Sequence, residues 1–336
     1  MTKCPHFDHL LVIPHLRVQN ANAISSAMTH GLPSMTAFLG AMWALERRTR
    51  AAGLDIQFNA VGVVCHGFQE QATLGQYRND AGAFHLTRNP IERDGGVAAI
   101  VEEGRIHLDL TLIFAVQSAM LNTTADRGES LAKQVREQLD AMRIAGGSIV
   151  PANVSVRRQT PYVVSLTGDE TGHSDLFQTA KLRWLPGSAL VARDDLLDQR
   201  HTLLQSSESN SSRLDAWLSL ARINWRYEAS PASDDADAKK SPAQWTHDRK
   251  GAGWIVPIPV GYGALTDVLE AGSVTNARDM QTPFRFVESL YSIGEWIGAH
   301  RLQSPQQLLW YADSRPDDGL YRCRNDYAPP AQYDFD

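Results

Sequence analysis

The chain has 336 residues, 43% of them hydrophobic, and a formal net charge of −6. That length leaves room for one large domain or two ordinary ones around a sizeable core. The acidic balance excludes a non-specific, high-charge nucleic-acid binder, but not a protein that grips a short RNA in one local patch, nor a subunit of a larger assembly.

Residues 9–19, "HLLVIPHLRVQ", read as a first strand, which leaves through Gln19, Asn20, Ala21 and Asn22. Small amides suit turns, and they also hydrogen-bond exposed bases. Pattern alone leaves the two readings open, with Ser25 as a cap for the next element. Residues 34–50 read as a helix with Ser34 as N-cap after Pro33, and Met35, Phe38, Leu39, Met42 and Leu45 form its apolar face. Residues 54–68 predict a second strand, and the alternation from Ile106 to Phe114 predicts a third over 105–116. A second helix is expected over 127–144, stopped by Gly146 and Gly147, and a fourth strand over 148–159, bent at Pro151.

The order β-α-β-β-α-β predicts an α+β fold with a ferredoxin-like, RRM-like domain over 9–159, an arrangement that includes RNA-binding sheets. Two features depart from a plain RRM. Residues 70–104 are long for a connection, which predicts a projecting hairpin or loop. The third strand also lacks an aromatic RNP1 pattern, so base stacking on the sheet is not the default binding mode. Residues 160–336 are less regular. "DDLLDQRHTLLQ" and "SRLDAWLSLARINWRY" look helical, 228–253 has the composition of a mobile insert, and "PVGYGALTD" (259–267) is the best glycine loop.

Candidate chemistry is sparse. His6, His9 and His15 lie in no HExxH and have no CxxC partner, so no metal or other cofactor is expected. Cys4, Cys65 and Cys323 are far apart and odd in number, which predicts reduced thiols. There is no GxSxG elbow and no P-loop. A metal-free ribonuclease needs no motif, and His15, His30 and Tyr262 are its candidate acid and base, against a reading as ordinary core or surface residues. Gly261 and Gly263 would let backbone approach a ligand, or simply turn the chain. Arg278 and Arg285, around "TPF", would bind phosphates, or sit in a solvated loop before a core helix. The doublets Arg157–Arg158 and Lys239–Lys240 read as solvated surface. No apolar run nears the roughly 20 residues that span a bilayer. "MTKCPHFDHL" has no signal-peptide pattern, so a cytoplasmic location away from membranes is expected.

Three stretches carry a resemblance: "LVIPHLRVQNANAISSAMTHGLPSMTAFLGAMWAL", "PVGYGALTDVLEAGSV" and "ARDMQTPFRFVESLYSIGEWIGAHRL". Together they resemble the Csy-type subunit that binds the crRNA 5′ handle in type I-F CRISPR surveillance complexes (Cascade), in the Cas-five branch of the RAMP superfamily. The resemblance runs from about residue 10 to 302; 228–253 and the C-terminal tail match least. It implies an RRM-like domain with a glycine-rich loop and a thumb drawn from 70–104. It also implies a non-catalytic role holding the handle, pairing with the large PAM-reading subunit, abutting the first backbone subunit, and lying near target DNA. On the resemblance, Gln19, Asn20, Asn22 and Ser25 would meet handle bases or riboses, with Gly261, Tyr262 and Gly263 beside the strand and Arg278 and Arg285 on its phosphates. Relatives in another subtype cut RNA, which keeps a metal-independent endoribonuclease as the alternative. A pure protein-interaction module is the third reading.

Overall fold

The computed structural model describes residues 3–73, 82–87, 91, 94–97, 101–122, 125–151, 157–166, 170–228, 244–277 and 279–329. Strand β1 (His9–Asn22) enters helix α1 (Met35–Ala51) through a short hairpin, Ile24–Ser26 with Thr29–His30. Every signal for α1 is local. The Ser34 hydroxyl accepts from the Thr36 N–H, Met35, Phe38, Leu39, Met42 and Leu45 are buried, and Arg48 and Arg50 lie in the last turn. Strands β2 (Gln57–Glu70) and β3 (Arg105–Gln117) follow, and then α2 (Ala125–Asp140).

The expected second helix stops earlier than the glycines suggested. Arg143–Ile144 forms a two-residue strand that turns through Ala145 and Gly146 onto β4 (Gly147–Val150). The strand expected over 148–159 ends at Pro151, where the ladder donor is lost. Arg157–Gln159 is a 3-10 turn before β5 (Tyr162–Ser165).

The second half supplies α3 (Glu170–Lys181), β6 (Ser188–Ala192), α4 (Asp194–Ser207) and α5 (Arg213–Ala221). A capping box between Ser212 and Asp215 opens α5. The helical reading of "SRLDAWLSLARINWRY" fails at its end, because β7 (Trp225–Glu228) pairs with β8 (Gln244–His247) as a hairpin. Residues 229–243 of the expected insert lie outside the described residues, whereas 244–253 are hairpin and turn. Strands β9 (Trp254–Ala264), β10 (Val287–Gly298), β11 (Trp310–Arg315) and β12 (Leu320–Asn325) complete the fold. The helix expected after "TPFRF" is therefore strand β10.

Mixed α/β structure is thus built on one large antiparallel sheet of 11 strands. Its path runs from Arg143–Ile144 through β4, β1, β3, β2, β6, β10, β9 and β12 to β11, and β5 also pairs with β1. The path returns on itself where Trp310 of β11 pairs with Val61 of β2. Trp310 is fully buried at that closure, and its indole N–H donates to the Leu190 carbonyl at 2.8 Å.

Two apolar layers flank the first strands. Leu11, Ile13, Val63, Leu112 and Phe114 face α1 and α2. Leu10, Val12, Val64, Ile113 and Ala115 face Phe177 and Trp184. A third cluster joins Trp217 and Leu220 of α5 to Ile255 and Ile293. Within the β11–β12 hairpin, Asp313 is buried and accepts from Arg324 at 2.5 Å and Arg315 at 3.0 Å.

Candidate nucleic-acid interface

The sheet face opposite α1 and α2 changes character along its length. At one end Leu10, Val12 and Ile113 are covered. Beyond them the same face carries Arg17, His107 and Asp109, and among the described residues nothing in the apolar layer covers it. The switch falls at two bulges. The β1–β3 register shifts between Ile13 and Leu16, and the β2–β3 register between Cys65 and Gly67. Each bulge contains a histidine, and bulges re-aim side chains. His15, in the left-handed region at φ 46°, stacks on His66 with ring centroids 4.2 Å apart.

Hydrogen bonds fix these rings over β3. His66 Nδ1 lies 2.7 Å from the Pro186 carbonyl, which can only accept, so that nitrogen carries the proton. Nε2 then accepts from the Thr111 hydroxyl at 2.7 Å. Burial is the main cause that lowers the His66 pKa from its ordinary value, so the ring is neutral. His15 Nδ1 donates to Asp109 at 3.1 Å, and its backbone N–H donates to Thr111 Oγ1 at 3.3 Å.

The amide stretch lies at the open end of this face. A second bulge in the β1–β3 ladder, between Val18 and Ala21, holds Asn20 at φ 57°, a conformation asparagine tolerates better than most residues. The Asn20 N–H donates to His107 Nδ1 at 3.2 Å, and its carboxamide oxygen accepts from Gln71 at 2.6 Å. Asn22 closes its own turn, donating to the Ile24 carbonyl at 2.7 Å and accepting from the Ile24 N–H at 3.1 Å. Ser25 bonds across the short hairpin to Thr29, so it braces a turn and caps no helix. Gln19 is exposed at the end of the β1–β4 ladder. The amides thus serve the fold at Asn20 and Asn22, and Gln19 projects.

A cleft of about 480 Å³ adjoins this hairpin, lined by Ser25, His30, His66, Trp254, Pro259 and Trp296 among others. The Ser34 hydroxyl closes its back by donating to the Pro259 carbonyl at 3.3 Å. His30 pairs with Glu70 at 3.0 Å and meets Phe84 edge-on.

The other expected residues are more dispersed. Gly261 and Gly263 belong to strand β9, so the glycine loop expected over 259–267 is strand as far as Ala264. A side chain at Gly261 would place its Cβ 2.0 Å from the Tyr321 carbonyl, which makes this glycine a packing requirement between strands. Tyr262 stacks on Tyr321 with centroids 6.4 Å apart. Arg285 donates to the Thr266 and Pro316 carbonyls at 2.7 and 3.0 Å, and no carboxylate pairs with it among the described residues. Arg278 lies outside the described residues, as do Lys239 and Lys240. His15, His30 and Tyr262 each engage a different set of partners.

The histidine–aspartate face was missed from sequence. Its signal was Arg105, His107 and Asp109 alternating with apolar residues in the third strand, which marks one polar face. Burial raises the thiol pKa of Cys65 to about 11 and of Cys4 and Cys323 to about 12. Among the described residues, no group of three or more His, Cys, Asp or Glu side chains is placed to hold a metal ion.

Comparison with known proteins supports the Csy part of the resemblance. The family model described as CRISPR-associated protein (Cas_Csy2) matches residues 11–323. The chain is also 43% identical, over 316 residues, to the CRISPR-associated protein Csy2 of Pseudomonas aeruginosa strain UCBPP-PA14, covering 94% of each chain. It belongs to the Cas_Csy2 family of CRISPR-associated proteins.

Proposed function

We propose that the chain is a non-catalytic, cytoplasmic subunit of a type I-F CRISPR RNA-guided surveillance complex, and that it holds the 5′ handle of the crRNA. In this reading it pairs with the large PAM-reading subunit, abuts a backbone subunit and lies near target DNA, with 70–104 as a thumb at the start of the guide–target duplex. The observation that carries the RNA role is the open polar half of the sheet face opposite α1 and α2, ending at Gln19 and Asn20. The order β4-β1-β3-β2 supports an RRM-like domain, whose helix-free face is where such sheets meet RNA. Because the other half of that face is covered by Phe177 and Trp184, base-edge hydrogen bonds take the place of broad aromatic stacking. The adjoining cleft suits one splayed base. Arg285, tied to carbonyls and not to a carboxylate, retains charge for a phosphate.

A titration tests this. The chain, co-expressed with its large partner subunit, is measured against handle RNA and a scrambled RNA of equal length over several salt concentrations. Gln19→Ala with Asn20→Ala is expected to weaken handle binding about tenfold and to leave scrambled RNA unchanged, since lost base contacts cost on the order of 1–3 kcal/mol. Equal affinity of the variant and the original chain for handle RNA sinks the reading. A slope near ~0.7 log units per phosphate for both RNAs would assign backbone contacts alone.

The His15–Asp109 pair favours one second reading, a metal-independent endoribonuclease of the same superfamily. A carboxylate on Nδ1 orients the ring, as a general base requires. Cleavage of repeat RNA by purified chain in EDTA, lost in His15→Ala, would establish it in place of the first.

A further inference from the structure

In the β7–β8 hairpin, Trp225 pairs with His247 and Tyr227 with Trp245, so four rings share one face. Arg226 and Thr246 take the other. The rings meet edge to face, with centroids 4.7 Å apart for Trp225–His247 and 5.5 Å for Tyr227–Trp245. Trp225, Tyr227 and Trp245 are nonetheless 56%, 59% and 64% exposed.

This ribbon is a fixed platform, because its base is pinned to α5. The Asn224 carboxamide donates to the Ser219 carbonyl at 2.9 Å and to Asp248 at 2.6 Å. Arg200 donates to Asp248 at 2.9 Å, and Arg249 donates to the Leu220 carbonyl. Burial pushes the Asp248 pKa up, but the bonds from Asn224 and Arg200 outweigh it and hold the carboxyl below its ordinary value. Apolar exposure runs on into the chain before the hairpin. Leu214 and Leu218, one turn apart on α5, and then Ile223 are all exposed. Single exposed apolar residues are ordinary, whereas six in one short region mark an interaction surface.

Its chemistry selects the occupant. Surfaces that grip single-stranded nucleic acid interleave cations with their aromatics. The four-ring face contains no Lys or Arg, and leucine and isoleucine offer nothing to a base edge or a phosphate. Protein interface cores are rich in Trp and Tyr, poor in charge, and rimmed by polar groups. Here a cation sits at the rim. Lys250, in the turn just beyond the ribbon, is exposed and in no ion pair among the described residues.

We propose that the aromatic ladder of β7–β8, together with the exposed edge of α5, docks a protein subunit that presents an apolar groove rimmed by carboxylates. This rests on the reading of the chain as a subunit of a multiprotein complex, and not on its binding of handle RNA.

The test places the photo-crosslinking residue p-benzoylphenylalanine at position 245 of the full chain, co-expressed with the other subunits of its complex and a guide RNA. The expected product is an adduct with one protein subunit. Tyr227→Asp with Trp245→Asp should weaken retention of that subunit at least about tenfold, the scale of an interface hot spot. Lys250→Glu, a change on the exposed rim, should weaken it most at low salt. Unchanged thermal melting of the variants keeps the comparison free of misfolding. An adduct with RNA or DNA overturns the proposal, as does a complex that forms without an adduct and retains every subunit in the variants. If the unaltered chain fails to co-assemble, the subunit reading falls with it; if assembly occurs and the ladder has no role, this proposal alone falls.

Discussion

His66 shows what one bulged residue contributes. Both ring nitrogens are committed, Nδ1 to the Pro186 carbonyl and Nε2 to Thr111, and the folded ring resists a second proton because burial lowers its pKa from 6.5. As pH falls below 6.5, the unfolded chain takes up a proton that the folded chain refuses, so stability falls with pH from that point downward. His66→Asn should destabilise the protein by about 1–3 kcal/mol near neutrality through lost hydrogen bonds. It should also flatten the pH dependence between about pH 7 and about pH 5. Urea unfolding at both pH values checks this, and an equal slope in the variant would assign the dependence to other groups. The amides nearby mark how far residues were legible. Of the two readings left open for "QNAN", Asn22 takes the turn, with its partner Ile24 two residues away. Asn20 answers to His107, 87 residues away, and a window on the sequence carries no sign of that partner.

Elements followed the same division between local and distant causes. Helix α1 was legible because its cap, its apolar spacing and its terminal arginines all lie within the segment. Strand β9 was not, because Gly261 answers to the Tyr321 carbonyl of a strand that comes some 60 residues later. Hairpin β7–β8 hid behind helix-compatible residues, and only pairing across 229–243 makes them strand. In β11–β12 the buried Asp313 gathers Arg324 and Arg315. Burial pushes its pKa up, the two guanidiniums outweigh that, and the folded value lies below 3.8. Its stabilisation is therefore present above 3.8 and is lost as pH falls below that value. Asp313→Asn should cost about 1–3 kcal/mol at neutral pH, since it removes the charged acceptor of the half-buried Arg324 guanidinium. The deficit against the original chain should shrink toward about pH 3, and a constant deficit in chemical denaturation would argue for packing instead of charge.

At the scale of the whole molecule, the boundary expected from sequence near residue 160, between an RRM-like domain and a C-terminal region, falls within a continuous sheet. β2, from the first region, pairs with β6 and β11 from the second. Shared ladders predict shared unfolding: tryptophan fluorescence, which reports Trp184 and Trp310 in the core, should track the same urea transition as far-UV circular dichroism. Two separated transitions would assign two independent domains. The same closure governs how the protein comes into being. The first turn of α1 is tied to a carbonyl 225 residues downstream, and β2 is bridged by Trp310 near the end of the chain. While the ribosome is still working, the half that carries Gln19 and Asn20 has an apolar sheet edge with nothing against it. A product truncated before Trp310 would contain nearly every candidate RNA contact and yet be a target for proteases and aggregation. Closure of the sheet on β2 therefore waits until Trp310 has been made.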